Sequence, residues 1–285
     1  MATVSAGVQY VKRLKIFETE VPFQSFVDVP KDAPDQRKTN LEFETRVESF
    51  LDMRDDIHTF TLDKHGFMVK HEPLGFSSEF FTQRDEVENL YFRELERVIG
   101  EVCGAVDKVY FFDWRLRSSE MSNSTGVIDL YDPTAWLLPA NRVHIDQSPA
   151  AALHRVLLHF PEQAEQLLQG RVRILNFWRP ISHPVEDYPL AVCEASSVTQ
   201  DDLLECDHIR KKYVGSTVFL THKDGYRWRY LRDHRPDEML VMKMFDSDLS
   251  VTRHCPHVSF KNPLAADTCH PRQSIEVRAL VFSSQ

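Results

Sequence analysis

The stretch Asn141-Arg142-Val143-His144-Ile145-Asp146-Gln147-Ser148 decides how the rest of the chain reads. On an extended strand, residues two apart point to the same face, so His144 and Asp146 project together. An imidazole beside a carboxylate supplies two adjacent ligands for a metal ion such as iron. Taken alone the match is weak: a chain with thirteen histidines and 43 acidic residues produces His-x-Asp by chance, and His222-Lys223-Asp224 is a second instance. Setting separates the two. Asp224-Gly225 is a hairpin-turn signal, which predicts an exposed loop for the second pair. His144 and Asp146 end a strand just before a helix, as residues at the rim of a barrel do. The plain alternative for them is a partly buried histidine paired with its neighbouring acid.

Around this stretch lie short apolar runs separated by turn signals: Val109 to Trp114, Arg142 to Asp146, Val172 to Trp178, Leu190 to Cys193 and Ser216 to Thr221. Four more follow, at Tyr226 to Leu231, Met239 to Phe245, His257 to Phe260 and Ser274 to Phe282. Helical spacing interrupts them clearly only from Pro149 to Gly170, where Pro161 divides two short helices. Upstream, Val87, Leu90, Tyr91, Leu95, Val98 and Ile99 recur mostly every three or four residues and predict an amphipathic helix from Thr82 to about Gly104. Earlier still, Thr59–Leu62 and Gly66–Val69 flank Asp63-Lys64-His65-Gly66 and read as a hairpin. The alternating Tyr10–Phe17 and the Pro-rich Val29–Asp35 read as an arm over a core. Many short strands behind a helical N-terminal part predict one mainly β domain with flanking helices, a sandwich or jelly-roll barrel. Residues 1–105 would support that barrel and 106–285 form it.

Composition excludes several classes of function. A formal charge of −9, with no basic run longer than Arg210-Lys211-Lys212, argues against a nucleic-acid partner. Nine glycines and no phosphate-loop sequence argue against nucleotide-driven chemistry. Five scattered cysteines without a Cys-x-x-Cys pair read as reduced thiols, and nothing resembles a signal peptide or a spanning segment, so a cytoplasmic, membrane-free protein is expected. Asp55-Asp56 and Asp201-Asp202 are not placed across a cleft as glycosidase carboxylates are, and a helix N-terminus explains the second pair better. Ser-His-Asp and Cys-His catalysis lack their sequence context.

A non-haem iron site needs a second histidine. His257 opens one short C-terminal strand and Arg272 the next, which would bring an imidazole and a guanidinium together at the barrel mouth. A guanidinium holds the far end of a dicarboxylate by two parallel hydrogen bonds, while the near carboxylate and keto oxygen chelate the metal. Ser274 shares the face of Arg272 and could donate to the same carboxylate, and Arg278 is a second cationic anchor on that face.

These residues, in the order His144-x-Asp146, His257, Asn262, Arg272-x-Ser274, resemble the iron(II) and 2-oxoglutarate-dependent dioxygenases. More closely, Val143–Ser148, Asn176-Phe177-Trp178-Arg179-Pro180, Pro189–Cys193, Pro236-Asp237-Glu238 with Phe245-Asp246-Ser247, Pro256-His257 and Ser274–Arg278 are similar to the AsaB-type hydroxylase/desaturase family. That family resembles cephamycin methoxylation proteins and fungal endoperoxide-forming enzymes in turn. The resemblance spans about Leu41 to Phe282. It implies a double-stranded β-helix of cupin-like jelly-roll form, Fe(II) held by His144, Asp146 and His257, and 2-oxoglutarate anchored by Arg272. It also implies dioxygen as oxidant, succinate and CO2 as coproducts, and a small lipophilic secondary metabolite as substrate to be hydroxylated, desaturated or converted to an endoperoxide. Halogenation is disfavoured because Asp146 stands where a halide would bind. Where many relatives carry His-Arg-Trp, this chain has Tyr226-Arg227-Trp228, with His222 four residues upstream. His257 is nevertheless read as the distal ligand, because only it is followed by an Asn and an Arg-x-Ser.

Asn176 and Trp178 share one strand face and Arg179 the other. Asn176 is a cosubstrate contact in this reading, while Trp178 and Tyr226 are substrate-facing positions, Trp178 doubling as core. His254 is a rival ligand, and His154 and His159 are solvent-facing or capping. The N-terminal arm and Gly75–Phe81 are lids or, for the aromatic cluster, ordinary core. A homodimer accords with the wider class, although no apolar stripe predicts its interface. Two other functions fit the same residues: an iron oxidase of this fold that does without 2-oxoglutarate, and an inactive barrel that only binds.

Overall fold

The structure, a computed structural model, describes residues 2–120, 129, 131–211 and 213–284. In chain order its strands are β1 (Thr3–Val11), β2 (Phe23–Ser25), β3 (Phe43–Asp52), β4 (Phe67–His71), β5 (Lys108–Ser118), β6 (Trp136–Leu137), β7 (His144–Ile145) and β8 (Arg171–Pro180). Then come β9 (Leu190–Cys193), β10 (Leu203–Arg210), β11 (Tyr213–Leu220), β12 (Trp228–Tyr230), β13 (Glu238–Asp246), β14 (His257–Ser259) and β15 (Gln273–Ser283). They form a nine-stranded sheet, β1-β3-β12-β9-β14-β7-β11-β10-β2, facing a six-stranded one, β4-β13-β8-β15-β5-β6.

Within these sheets β12-β9-β14-β7 oppose β13-β8-β15-β5. Following the chain through those eight strands, it crosses between sheets at every step except from β9 to β12, where the β10–β11 hairpin is inserted. That alternation is the double-stranded β-helix, and each sheet buries one face against the other. Strand periodicity of two sorts the side chains. On β8, Ile174 and Trp178 enter the core between the sheets, while Leu175 and Phe177 pack outward. The outward face is covered by the helix Phe92–Cys103 through Leu95, Val98 and Ile99. Helical residues run from Arg84 through a π turn, Val87–Tyr91, into that helix, as the apolar spacing predicts.

Two N-terminal expectations need correction. Thr59–Val69 is not a hairpin: Thr59 ends a short 3-10 helix (Arg54–Thr59), Leu62–His65 is a helical turn, and only the second run becomes a strand, β4, paired with β13. Gly66 closes the turn in the left-handed region at φ 87°, so the Gly that reads as a hairpin residue is a helix C-terminal stop. The N-terminal arm is likewise part of the sheet. β1 pairs with β3 from Thr3–Leu51 to Val11–Phe43, while Lys15–Glu18 is a 3-10 turn. The Gly75–Phe81 aromatics are core in part: Phe81 is fully buried, and Phe76 stacks on Phe80 at 4.0 Å beneath Tyr91.

Candidate metal centre

β7 and β14 are neighbours, with His144 and His257 directly in register. β7 stops after Ile145 because Ser148 and Pro149 begin the helix Pro149–His159, with the Ser148 hydroxyl accepting from the Ala151 amide at 3.1 Å. Asp146 is thereby left at the sheet rim, its backbone carbonyl accepting from the Thr217 hydroxyl. His144 Nε2 lies 3.7 Å from Asp146 Oδ1 and His257 Nε2 lies 3.9 Å from Asp146 Oδ2, with the two imidazole centroids 4.3 Å apart. One ligand atom from each of the three residues falls within 4.8 Å of the others, close enough to hold one metal ion.

The orientation of both rings is set from behind. His144 Nδ1 is 2.7 Å from the Arg142 carbonyl and His257 Nδ1 3.2 Å from that of Cys255. Nδ1 therefore carries the proton in each ring and Nε2 keeps its lone pair for a metal. Burial, then the neighbouring His257, depresses His144 to about 3, which keeps it neutral. Burial pushes the Asp146 carboxyl up, but the Arg278 charge, helped by the Asn176 hydrogen bond, outweighs it, so the group stays ionised well below the usual range. Arg278 grips both Asp146 oxygens at 3.0 Å, and Asn176 Nδ2 donates to Oδ2 at 2.9 Å. Two imidazoles presenting Nε2 and a fixed carboxylate on one side of a point form the donor set that divalent iron takes.

Arg272 is almost wholly buried at 1% exposure. Its Nε donates to Ser274 Oγ, and Nη1 donates to Ser259 Oγ and the Tyr188 carbonyl. Among the described residues it forms no ion pair, and burial, with the Arg117 charge next in importance, lowers it to about 9. Its guanidinium carbon sits 5.0 Å from the Trp178 ring centroid. Nearby, Asn176 Oδ1 and Trp178 Nε1 are buried without hydrogen-bond partners. A buried cation without an ion pair among the described residues, with the orphaned Trp178 Nε1–H donor beside it, suits a bound anion.

The remaining sequence-derived positions are distributed unevenly. Arg278 is committed to Asp146, Asp113 and Glu276. Asn176 touches Asp146 as well as the space in front of it. Tyr226 lies outside the cavity beside the metal centre, with its hydroxyl on the Thr221 carbonyl and its ring stacked on Tyr10 at 5.9 Å. The His222 pair lies in a loop, as expected, with Asp224 and Gly225 exposed, but His222 itself is turned inward. His222 is half-buried against Glu48 of β3 at 3.5 Å and Tyr10 of β1 at 5.1 Å. Asp202 caps a short 3-10 helix at Thr199, as expected. His254 is not part of the three-ligand group.

A cavity of about 460 Å³ opens beside His144 and Asp146, and sequence reasoning missed most of its wall. Asp113, Arg115 and Arg117 alternate with Trp114 and Leu116 on β5 and read as the solvent face of a half-buried strand. In the fold that face lines the cavity, together with Glu276 and Arg278 of β15. The signal was present as three charged residues at period two; which side faced solvent was not.

Two imidazoles and a carboxylate at the rim of a double-stranded β-helix define a mononuclear non-haem iron oxygenase. The chain belongs, more narrowly, to the Fe(II)/2-oxoglutarate-dependent dioxygenases. It is 30% identical to the Fe(II)/2-oxoglutarate-dependent dioxygenase nvfI of Aspergillus novofumigatus over 88% of each chain. It is 33% identical to the hydroxylase/desaturase CTB9 of Cercospora beticola, over 85% of this chain and 78% of that one. A family model described as an oxidoreductase/YMDC permease-like domain matches residues 8–282. Among solved structures, the iron and alpha-ketoglutarate-dependent endoperoxidase NvfI matches with a TM-score of 0.85 at 27% identity, covering 99% of both chains.

Proposed function

We propose that this enzyme oxidises a small lipophilic secondary metabolite by hydroxylation, desaturation or endoperoxidation, releasing succinate and CO2. His144, Asp146 and His257 are its iron ligands and Arg272 its 2-oxoglutarate anchor. The observation that carries this reading is the pairing of a three-ligand group with a buried guanidinium that has no counter-ion. When bound, Fe(II) with 2-oxoglutarate and dioxygen supplies the oxidising power, through oxidative decarboxylation of the cosubstrate.

The chain's own residues position and shield. His144 and His257 offer Nε2, held in that tautomer by the carbonyls behind them. Arg278 and Asn176 fix the Asp146 carboxylate. Ser259, two residues beyond His257 on β14, touches Arg272, and Trp178, two beyond Asn176 on β8, lies under it. Two strand residues span about 7 Å, the reach of a five-carbon dicarboxylate from metal to guanidinium. Ser274, bonded to Arg272, can share that carboxylate. Around them Val192, Ile174 and Trp178 keep water from the reacting centre.

The same reading places the enzyme in the cytosol, in keeping with five free thiols, as a monomer or a homodimer. No described helix is long and apolar enough to cross a membrane. The test is spectroscopic. Anaerobic Fe(II) plus 2-oxoglutarate should produce a weak visible charge-transfer band that His257→Ala abolishes and His222→Ala leaves intact. Arg272→Gln should raise the 2-oxoglutarate concentration needed about 10-fold or more. A band lost in His222→Ala but kept in His257→Ala would overturn the ligand assignment.

A further inference from the structure

The cavity beside His144 and Asp146 is far more cationic than the chain that builds it. The sequence as a whole carries a charge of −9, yet six arginines line the cavity against three carboxylates. Those carboxylates are already claimed: Asp113 by Arg115 and Arg278, Glu276 by Arg117 and Arg278, and Asp146 by Arg278. Arg142 and Arg210 form no ion pair among the described residues, and no Asp or Glu occurs among the residues left undescribed. Their guanidinium carbons rest over aromatic rings instead, Arg142 at 4.2 Å from the Phe43 centroid and Arg210 at 5.3 Å from that of Phe26.

The two arginines line one cavity with His208. Each acts electrostatically on His208, which shares the wall with them. His208 Nε2 and, on the same wall, Gln147 Oε1 are buried without hydrogen-bond partners. Cofactor binding does not consume this charge, because an iron dication and a 2-oxoglutarate dianion cancel. A neutral substrate that displaced water from the cavity would leave two half-buried guanidinium groups without an ion pair, which is unfavourable.

We propose that this cavity takes a substrate bearing an anionic group, a carboxylate or an acid of equivalent charge, held by Arg142 and Arg210 with its apolar body against Phe26 and Phe219. The proposal rests on the dioxygenase reading of the same site and narrows the substrate from a lipophilic molecule to a lipophilic acid. His208 and Gln147 are then polar contacts that orient it.

Two fluorescent probes of one skeleton separate charge from hydrophobicity: anilinonaphthalene sulfonate, an anion, and phenylnaphthylamine, which is neutral. Each is titrated into the full chain loaded anaerobically with Fe(II) and 2-oxoglutarate, so that Arg272 is already occupied. The sulfonate should bind about 10-fold or more tightly than the amine at low salt. That preference should vanish in the double variant Arg142→Gln/Arg210→Gln and persist in Arg142→Lys/Arg210→Lys, which keeps the charge. Equal binding by the wild type, or a preference that survives the glutamine pair, overturns the proposal. The charge-transfer band of the wild type reports separately: its absence sinks the dioxygenase reading, whereas a normal band without anion preference sinks this inference alone.

Discussion

Asn176 shows how much one side chain can be asked to do at the metal centre. Its amide nitrogen holds Asp146 at 2.9 Å while its oxygen faces the interior without a partner. Loss of such an outer contact typically costs 10- to 100-fold in metal affinity. Asn176→Ala is therefore expected to weaken Fe(II) binding by about 10-fold or more, measured by competition with a chromogenic chelator. If 2-oxoglutarate affinity falls and Fe(II) affinity does not, the residue is a cosubstrate contact only, as its sequence position suggests. Arg272 and Arg278 make the complementary point. Arg272 is buried just before β15 and has no ion pair among the described residues, whereas Arg278, largely buried in the middle of β15, is saturated by three carboxylates.

At the scale of elements, the site depends on strands that are very short. β7 contributes two residues and β14 three, yet they put the two histidines in register because the long strands behind them hold the frame. Gly66 is a comparable pivot. A Cβ there would lie 2.6 Å from the His254 carbonyl oxygen, and the residue has φ 87°. Gly66→Ala should destabilise the fold by about 2 kcal/mol, read from the urea midpoint at unchanged slope. A neutral result would mean that the helical turn before β4 is not the rigid stop described here.

For the whole molecule, pH acts through what is buried. His234 is 2% exposed, its Nε2 is 2.8 Å from the Glu238 carbonyl, and its ring packs on Trp178. Burial lowers it to about 4, from an ordinary value of 6.5. Because the fold favours the neutral ring, its contribution is full above pH 6.5 and is lost as pH falls from there toward 4, about 3 kcal/mol in all. His234→Gln should flatten the acid limb of a stability profile relative to wild type by that order. Identical slopes would show that the imidazole protonates freely in the folded chain.

Local pattern carried a great deal. Strand runs from Val109 onward, the Phe92–Cys103 helix and the two helices split by Pro161 were legible because burial on one or both faces dictates apolar period and length. The order His144, Asp146, His257, Arg272 was legible because metal and dicarboxylate chemistry restrict residue type. What only the tertiary structure decided was sidedness and company. The charged face of Asp113, Arg115 and Arg117 turned inward, Thr59–Leu62 became the end of a 3-10 helix and the start of a helical turn instead of a strand, and Tyr226 packed on Tyr10. Period two states that two faces differ, and pairing with distant strands determines which of them meets the cavity. Arg272 and Arg278 differ in the same way, by which carboxylates the fold brought to each: Asp113, Asp146 and Glu276 pair with Arg278, and no described carboxylate pairs with Arg272.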